Sequence, residues 1–478
     1  MLTLADYQGL DTLSLSKGLR NREFTSLELV DAAAALVEEF NPQLNAIVSL
    51  DLQRARDSAR EISVASEDSL FRGVPFLIKD LSALAGMPQG MGSRAFNGYS
   101  PQQNSALVQR FVDAGLVMLG KTNTPENGLT LTTEPVSAGA CRNPWNTAYS
   151  TGGSSGGAAA AVAAGIVPCA HASDGGGSIR IPASCCGLFG LKPSRGLTVI
   201  DESLTANWSG MSVGLVVSRT VRDTAAYLKL CSLSRPGQFP LPAIDQAVEP
   251  GQPHAEKLRV AFMENHPFGL TVDGSCRATA NRAAELCMNR GHQVEPVAAL
   301  PVDMRACVKS INVLVSLHTY QVFSRRARES GTAMEELPLE SSTLAMAKAG
   351  AAITGDHYVE ARDQLRLAEL ELAAFFKEFD CLLSPVLAMP TAQLGWLDMN
   401  STDLAEYGRR YREYSGFTAI MNGLGLPSMS VPIQADPAGL PVGAMFSAGW
   451  GRDQLLLTLA AQLEQQNPWP RIAPDFQK

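Results

Sequence analysis

The chain has 478 residues, 45% hydrophobic and 18% charged, a balance that fits a globular protein with ample core and excludes disordered and fibrous classes. Its net charge of −8 and pI near 5.4 leave no basic footprint for a nucleic-acid backbone, and anionic membrane surfaces are disfavoured on the same ground. Nine cysteines without CxxC pairs, two of them the adjacent Cys185 and Cys186, indicate neither a disulfide framework nor a zinc module, and a reducing cytosol is expected.

The N-terminus, MLTLADYQGLDTLSLSKGLR, lacks the basic start and continuous apolar run of a signal peptide, so the expected location is cytoplasmic. A capping box of Thr25 and Glu28 opens a helix, SLELVDAAAALVEEF, which the Asn41-Pro42 pair is expected to end. A second helix over about 52–63 makes 1–65 an N-terminal helical segment packed on the body. Val74 to Ile78 has the pattern of a short buried strand, and it delivers Lys79 at its end. A lysine in that position either snorkels to solvent or stays buried with a lowered pKa, and Asp80 would oppose the second outcome if its carboxylate faced the amine. Val117 to Leu119 is the next predicted strand.

Two motifs here mislead. GLVMLGKT at 115–122 satisfies the phosphate-loop letters GxxxxGK[ST], but its variable positions are Leu, Val, Met and Leu, and Asn123-Thr124-Pro125 follows, which does not make an open anion cradle. GGSSG at 152–156 satisfies the GxSxG elbow around Ser154, but the polar, Pro-containing stretch 143–151 before it is not the apolar strand such an elbow needs.

The stretch 151–190, TGGSSGGAAAAVAAGIVPCAHASDGGGSIRIPASCCGLFG, holds two Gly/Ser clusters centred on Ser154 and Ser178 and joined by a small-residue helical run. The apolar part, Ala158 to Ala170, is too short to span a bilayer. Glycine content alone favours two turns flanking a buried helix; unobstructed backbone N–H groups would also suit a developing negative charge. Beyond Gly196, strands are predicted at 213–217, 258–263, 381–386, 428–433 and 442–447. Helices are predicted at 222–231, 277–290 (closed by Gly291), over most of 301–375, at 358–379 and at 452–466, with a Pro/Gly-rich connection at 235–253. Interleaved strands and helices predict an α/β sheet covered by helices on both faces, and no internal repeat is present.

Five blocks occur in order: GVPFLIKD (73–80), GKTNTPE (120–126), GGSSGG (152–157), SDGGGSIRIPAS (173–184) and CGLFGLKPSRG (186–196). On these blocks the sequence resembles the amidase signature family of serine hydrolases, most clearly from about Gly73 to Gly196. The resemblance implies one large α/β domain over 1–478 with a central mixed, twisted sheet, a signature core at 73–196 and a variable substrate-pocket region at 300–450. It implies Ser178 as nucleophile of an acyl-enzyme, Ser154 as bridging serine after a cis peptide bond, and a neutral Lys79 as base. The backbone N–H groups of Gly175, Gly176, Gly177 and Ser178 would form the oxyanion hole. At 175 this chain has Gly where many members have Thr, a departure expected to loosen that loop while keeping its N–H groups.

The implied reaction is cleavage of the C–N bond in small uncharged amides, with esters, carbamates and nylon-type oligomers as chemical neighbours. No metal or organic cofactor is implied, the partner is a small-molecule amide rather than nucleic acid or membrane, and a homodimer is left open. Apolar residues of the variable region, among them Ile311, Val315, Leu317, Val386, Ile420, Met445 and Phe446, are expected to divide between core and pocket. His171, the only histidine near the signature, is as well explained by packing as by chemistry. The alternative is the glutamine-hydrolysing A subunit of a tRNA-dependent amidotransferase, which typically carries Gln where this chain has Ile181. A catalytically dead binding protein on this scaffold is disfavoured, because all three catalytic positions are filled.

Overall fold

The computed structural model describes residues 2–62, 70–199, 207–232 and 257–478, and among these it holds thirteen strands with helices between them. In chain order the strands are β1 (Ile47–Leu50), β2 (Pro75–Lys79), β3 (Val117–Thr122), β4 (Arg142–Asn143), β5 (Asn146–Ser150), β6 (Cys169–Asp174) and β7 (Phe189–Lys192). They continue with β8 (Val213–Ser218), β9 (Arg259–Phe262), β10 (Gln293–Pro296), β11 (Cys381–Pro385), β12 (Ser428–Ala435) and β13 (Pro441–Ala448). Eight of them form one mixed sheet in the order β10-β9-β11-β13-β12-β7-β8-β6. Its β10–β9 and β9–β11 pairs are parallel and the rest antiparallel. A second sheet, β1-β3-β2, lies with β2 alongside β6, so the two sheets meet at a seam.

Alternation along the strands explains the layering, because successive side chains point to opposite faces. Cys381 and Leu383 enter one apolar layer while Leu382 enters the other, and Ala444 and Phe446 are opposed to Met445 in the same way. The first layer is covered by the helices Ser26–Leu44, Gly156–Ala163 and Asp453–Gln466, the second by Met304–Ser330 and Gly355–Glu378. Each fully buried Leu or Phe contributes about 1.5–3 kcal/mol to this arrangement. Of the residues expected to divide between core and pocket, Phe446 lies in the first layer and Met445 in the second.

Two further expectations change. The helix from Ser26 runs through Pro42 to Leu44 rather than stopping before Asn41. Pro42 lies in the last turn, and the Asn41 side chain holds that turn by accepting from Ile47 N–H (2.8 Å) and donating to Ile47 O (3.0 Å). The small-residue run after Ser155 is helical only to Ala163; Gly165, at a left-handed φ of 74°, closes it, and β6 returns along the seam. The connection at 235–253 lies outside the described residues. No described helix is long and apolar enough to cross a membrane.

Candidate active site

Lys79 ends β2 and Asp174 ends β6, so the seam brings the last residues of two strands to one place. Lys79 does not snorkel. Its side chain is fully buried, and Nζ lies 2.8 Å from Ser154 Oγ, 3.1 Å from Ser173 Oγ and 3.5 Å from Ser173 O. Burial pushes the Lys79 ammonium down to about 7, against the pull of the Asp174 carboxylate. Asp80 points elsewhere: Oδ2 accepts Gly90 N–H at 3.0 Å and Oδ1 faces Lys121 Nζ at 3.4 Å. Burial raises the Asp80 carboxyl to about 6 although Lys121 pulls it down. Lys121, the lysine of the phosphate-loop lookalike, is itself buried in β3 and donates to Ser82 O at 2.5 Å, so no cradle exists there.

Ser154 follows a cis Gly153–Ser154 peptide bond. A Cβ on Gly153 would collide with the carbonyl of Thr132, so glycine is needed at that close approach. Thr124 Oγ1 donates to Ser154 O at 2.9 Å and Thr133 Oγ1 to Gly152 O at 2.9 Å, tying the turn to the chain before it. The strand preceding this turn, β5, is polar and belongs to a separate two-stranded sheet, unlike the apolar strand of a GxSxG elbow. Ser155, the second serine of the pair, joins both clusters. Its N–H donates to Ser178 O at 3.2 Å, its Oγ donates to Ser173 O at 3.2 Å, and it accepts from Ser173 N–H at 3.3 Å.

The Ser178 loop is braced from inside. Asp174, fully buried, accepts from Gly177 N–H (2.7 Å), Ile179 N–H (3.1 Å), Arg180 Nε (2.9 Å) and Arg180 Nη2 (2.9 Å). Burial opposes ionisation, yet the Arg180 guanidinium and its hydrogen bonds hold the Asp174 carboxyl well below the usual carboxylate range. Arg180 Nη2 also donates to Asn422 Oδ1 (2.6 Å), and Asn422 Nδ2 donates to Asp174 O (2.8 Å). Thr418 Oγ1 donates to Gly176 O at 2.6 Å.

Gly177 has a φ of 130°, open to glycine alone, and its N–H is spent on Asp174. Among the described residues, nothing accepts from the N–H groups of Gly175, Gly176 or Ser178, and Ser178 Oγ has no partner. The Trp208 ring fills the space that a side chain at position 175 would take.

His171 serves the frame. Its Nδ1 accepts Lys79 N–H at 3.3 Å, and burial, aided by Lys79 and Lys121, drives its pKa down to about 3. A recess lined by Ser82, Ser105, Thr198 and Ser212 reaches this cluster at Ser173 and His171, on the lysine side, and Ser178 is not among its lining residues. No group of three or more metal-ligating side chains occurs among the described residues. The sequence blocks placed Lys79, Ser154 and Ser178 here; they did not single out Ser155, Ser173, Asp174 or Arg180, although all four lie inside the quoted motifs. Thr418 and Asn422 carry no local signal. Of the variable-region residues, Ile311, Val386, Ile420 and Met445 are core, while Leu317 is half-buried.

A lysine amine on a serine hydroxyl, beside a glycine loop with unpaired N–H groups, is an arrangement that nucleophilic catalysis can use. The Amidase family model matches residues 28–457. A putative amidase, AmiC, of Mycobacterium tuberculosis is 36% identical over 472 residues, covering 98% of this chain and 97% of the other. A solved 6-aminohexanoate cyclic dimer hydrolase superposes with a TM-score of 0.90 at 33% identity, over 100% of both chains. A solved bacterial aryl acylamidase superposes with a TM-score of 0.87 at 25% identity, over 96% of both. The chain belongs to the amidase signature family and is a hydrolase of amide C–N bonds.

Proposed function

We propose that the protein hydrolyses small uncharged amides through an acyl-enzyme on Ser178. The observation that carries this reading is the 2.8 Å contact between a dry Lys79 amine and Ser154 Oγ, in a turn bonded directly to the Ser178 backbone. As a neutral amine, Lys79 donates its two protons to Ser173 O and Oγ and turns its lone pair on the Ser154 hydroxyl. Ser154 passes its proton to Lys79 and takes the Ser178 proton as Ser178 Oγ attacks the carbonyl carbon. The tetrahedral oxyanion is received by the N–H groups of Gly175, Gly176 and Ser178, and Gly177 acts as the left-handed hinge that aims them. On collapse Ser154 protonates the departing amine, and water, deprotonated by the same relay, frees the acid.

The substrate class follows from an apolar second layer beneath the loop and from the similarity to cyclic-dimer and aryl-amide hydrolases, which supports neutral alkyl and aryl amides and nylon-type oligomers. The glutamine-hydrolysing subunit is the weaker reading, since Ile181 is fully buried where that subunit carries Gln. Nine free, buried cysteines support a cytoplasmic location. Comparing kcat/KM for a short-chain anilide and for free glutamine tests the substrate class. The anilide is expected to be preferred, and preference for glutamine would reverse the ranking.

A further inference from the structure

The space that a side chain at Gly175 would occupy is taken. A Cβ built there would lie 2.6 Å from Cε3 and 2.7 Å from Cζ3 of Trp208, far inside van der Waals contact. Trp208 and Ser209 both adopt left-handed φ values, 52° and 54°. Non-glycine residues rarely hold that conformation unless the surroundings fix it.

Here they do fix it. Ser209 Oγ lies 3.0 Å from His318 Nε2, Arg362 Nη1 donates to Ser209 O at 2.6 Å, and Arg195 Nε donates to Gly210 O at 3.0 Å. His318 is on the helix Met304–Ser330 and Arg362 on Gly355–Glu378, so separate parts of the chain converge to hold one tripeptide. The indole they present is half-buried. It packs on the layer that contains Ile181 and Met211 and against Gly175, and the next residue, Gly176, is partly exposed.

We infer that Trp208 is the aromatic wall of the acyl-binding site and sets which acyl groups reach Ser178; this rests on the proposed role of the Gly175–Ser178 loop as oxyanion hole. The ring sits against Gly175, one of the residues whose N–H groups would receive the carbonyl oxygen, so an acyl group held there would lie beside the indole. The ring then offers a flat apolar surface to the acyl group and no charge to pair with, which suits neutral alkyl or aryl acyl groups. A side chain at 175 and an indole at 208 exclude each other, so the two positions act as one determinant.

The test uses 4-nitroanilides of acetic, butyric, hexanoic and octanoic acids with wild type, Trp208→Ala, Trp208→Phe, Gly175→Thr, the double variant Gly175→Thr/Trp208→Ala, and Ser178→Ala. Trp208→Ala is expected to change the octanoyl-to-acetyl ratio of kcat/KM by about tenfold or more toward the longer chain, with Trp208→Phe between it and wild type. Gly175→Thr is expected to lose most activity and to lower Tm, and the double variant to recover both. An unchanged chain-length preference with an even loss across all four substrates would make Trp208 a mere support and overturn the inference. A double variant melting no higher than Gly175→Thr would overturn the steric pairing, a readout that needs no substrate. Turnover retained by Ser178→Ala would overturn instead the reading underneath.

Discussion

Replacing Lys79 with Met keeps the volume and removes the amine, and the structure gives both a kinetic and a thermodynamic consequence. Lys79 titrates at about 7 when folded against 10.5 when exposed. Between those values the unfolded chain carries a proton that the native chain lacks, so this residue makes native stability rise with pH across that window. At pH 7 the penalty of burying the amine is about 4 kcal/mol. Lys79→Met relieves it and leaves Ser154 Oγ and Ser173 Oγ without their partner, at about 1–3 kcal/mol. The net gain of about 1–3 kcal/mol should raise Tm by about 1–3 °C, given an unfolding entropy of roughly 2.1 cal/mol/K per residue in a chain of this length. By about pH 10 the relieved penalty falls below about 1 kcal/mol, and the advantage should vanish or reverse. The variant should at the same time lose about a hundredfold to ten-thousandfold in kcat, while wild-type kcat/KM rises about tenfold from pH 6 to pH 8. Thermal melts of both proteins between pH 7 and 10, with anilide kinetics between pH 6 and 8, make the measurement. A Tm difference that stays constant with pH, together with a flat wild-type profile, would refute a neutral, buried Lys79.

Three further outcomes are expected. Asp80→Asn should move the inflection of the kcat/KM profile by less than about half a pH unit, because its carboxylate faces Lys121 and not Lys79; a larger movement, read from the same profile, would place its charge on the relay. Arg180→Met should cost about 3–5 kcal/mol by stranding the buried Asp174 carboxylate, seen as a large fall in Tm and loss of the oxyanion loop's activity. Ser155→Ala should lower kcat about tenfold with little change in KM, since its hydroxyl ties β6 to the serine turn without facing substrate; an effect confined to KM would contradict that role.

Lys79, Ser154 and Ser178 were picked out through the resemblance of the five blocks to the amidase signature family, and the structure brings Lys79 Nζ to 2.8 Å from Ser154 Oγ. Much of the strand and helix order from Val213–Ser218 to the last helix was also legible, because apolar runs and helical periodicity are local signals, but β10 (Gln293–Pro296), which has no apolar run, was not. What was not legible depends on partners distant in the chain. Whether Asp80 faced Lys79 stayed open until β2 and β3 were paired side by side, which put Lys121 beside it. Gly177 counted as an oxyanion donor until its N–H was found bonded to Asp174. Which face of β13 Phe446 occupies depends on the pairing of β13 with β11 and β12, which puts it in the first apolar layer rather than beside Met445. Trp208 gave no signal at all, since its importance lies in filling a gap at Gly175 that the local sequence does not describe.

The central claim is that Ser178 becomes acylated through Ser154 and Lys79. Treating the wild type with a serine-directed fluorophosphonate, then mapping the adduct by peptide mass spectrometry, tests it most directly. The account predicts a single label on Ser178, loss of anilide turnover in proportion to labelling, and no label in Ser178→Ala. A label on Ser154 in the wild type, or full turnover in Ser178→Ala, would contradict it.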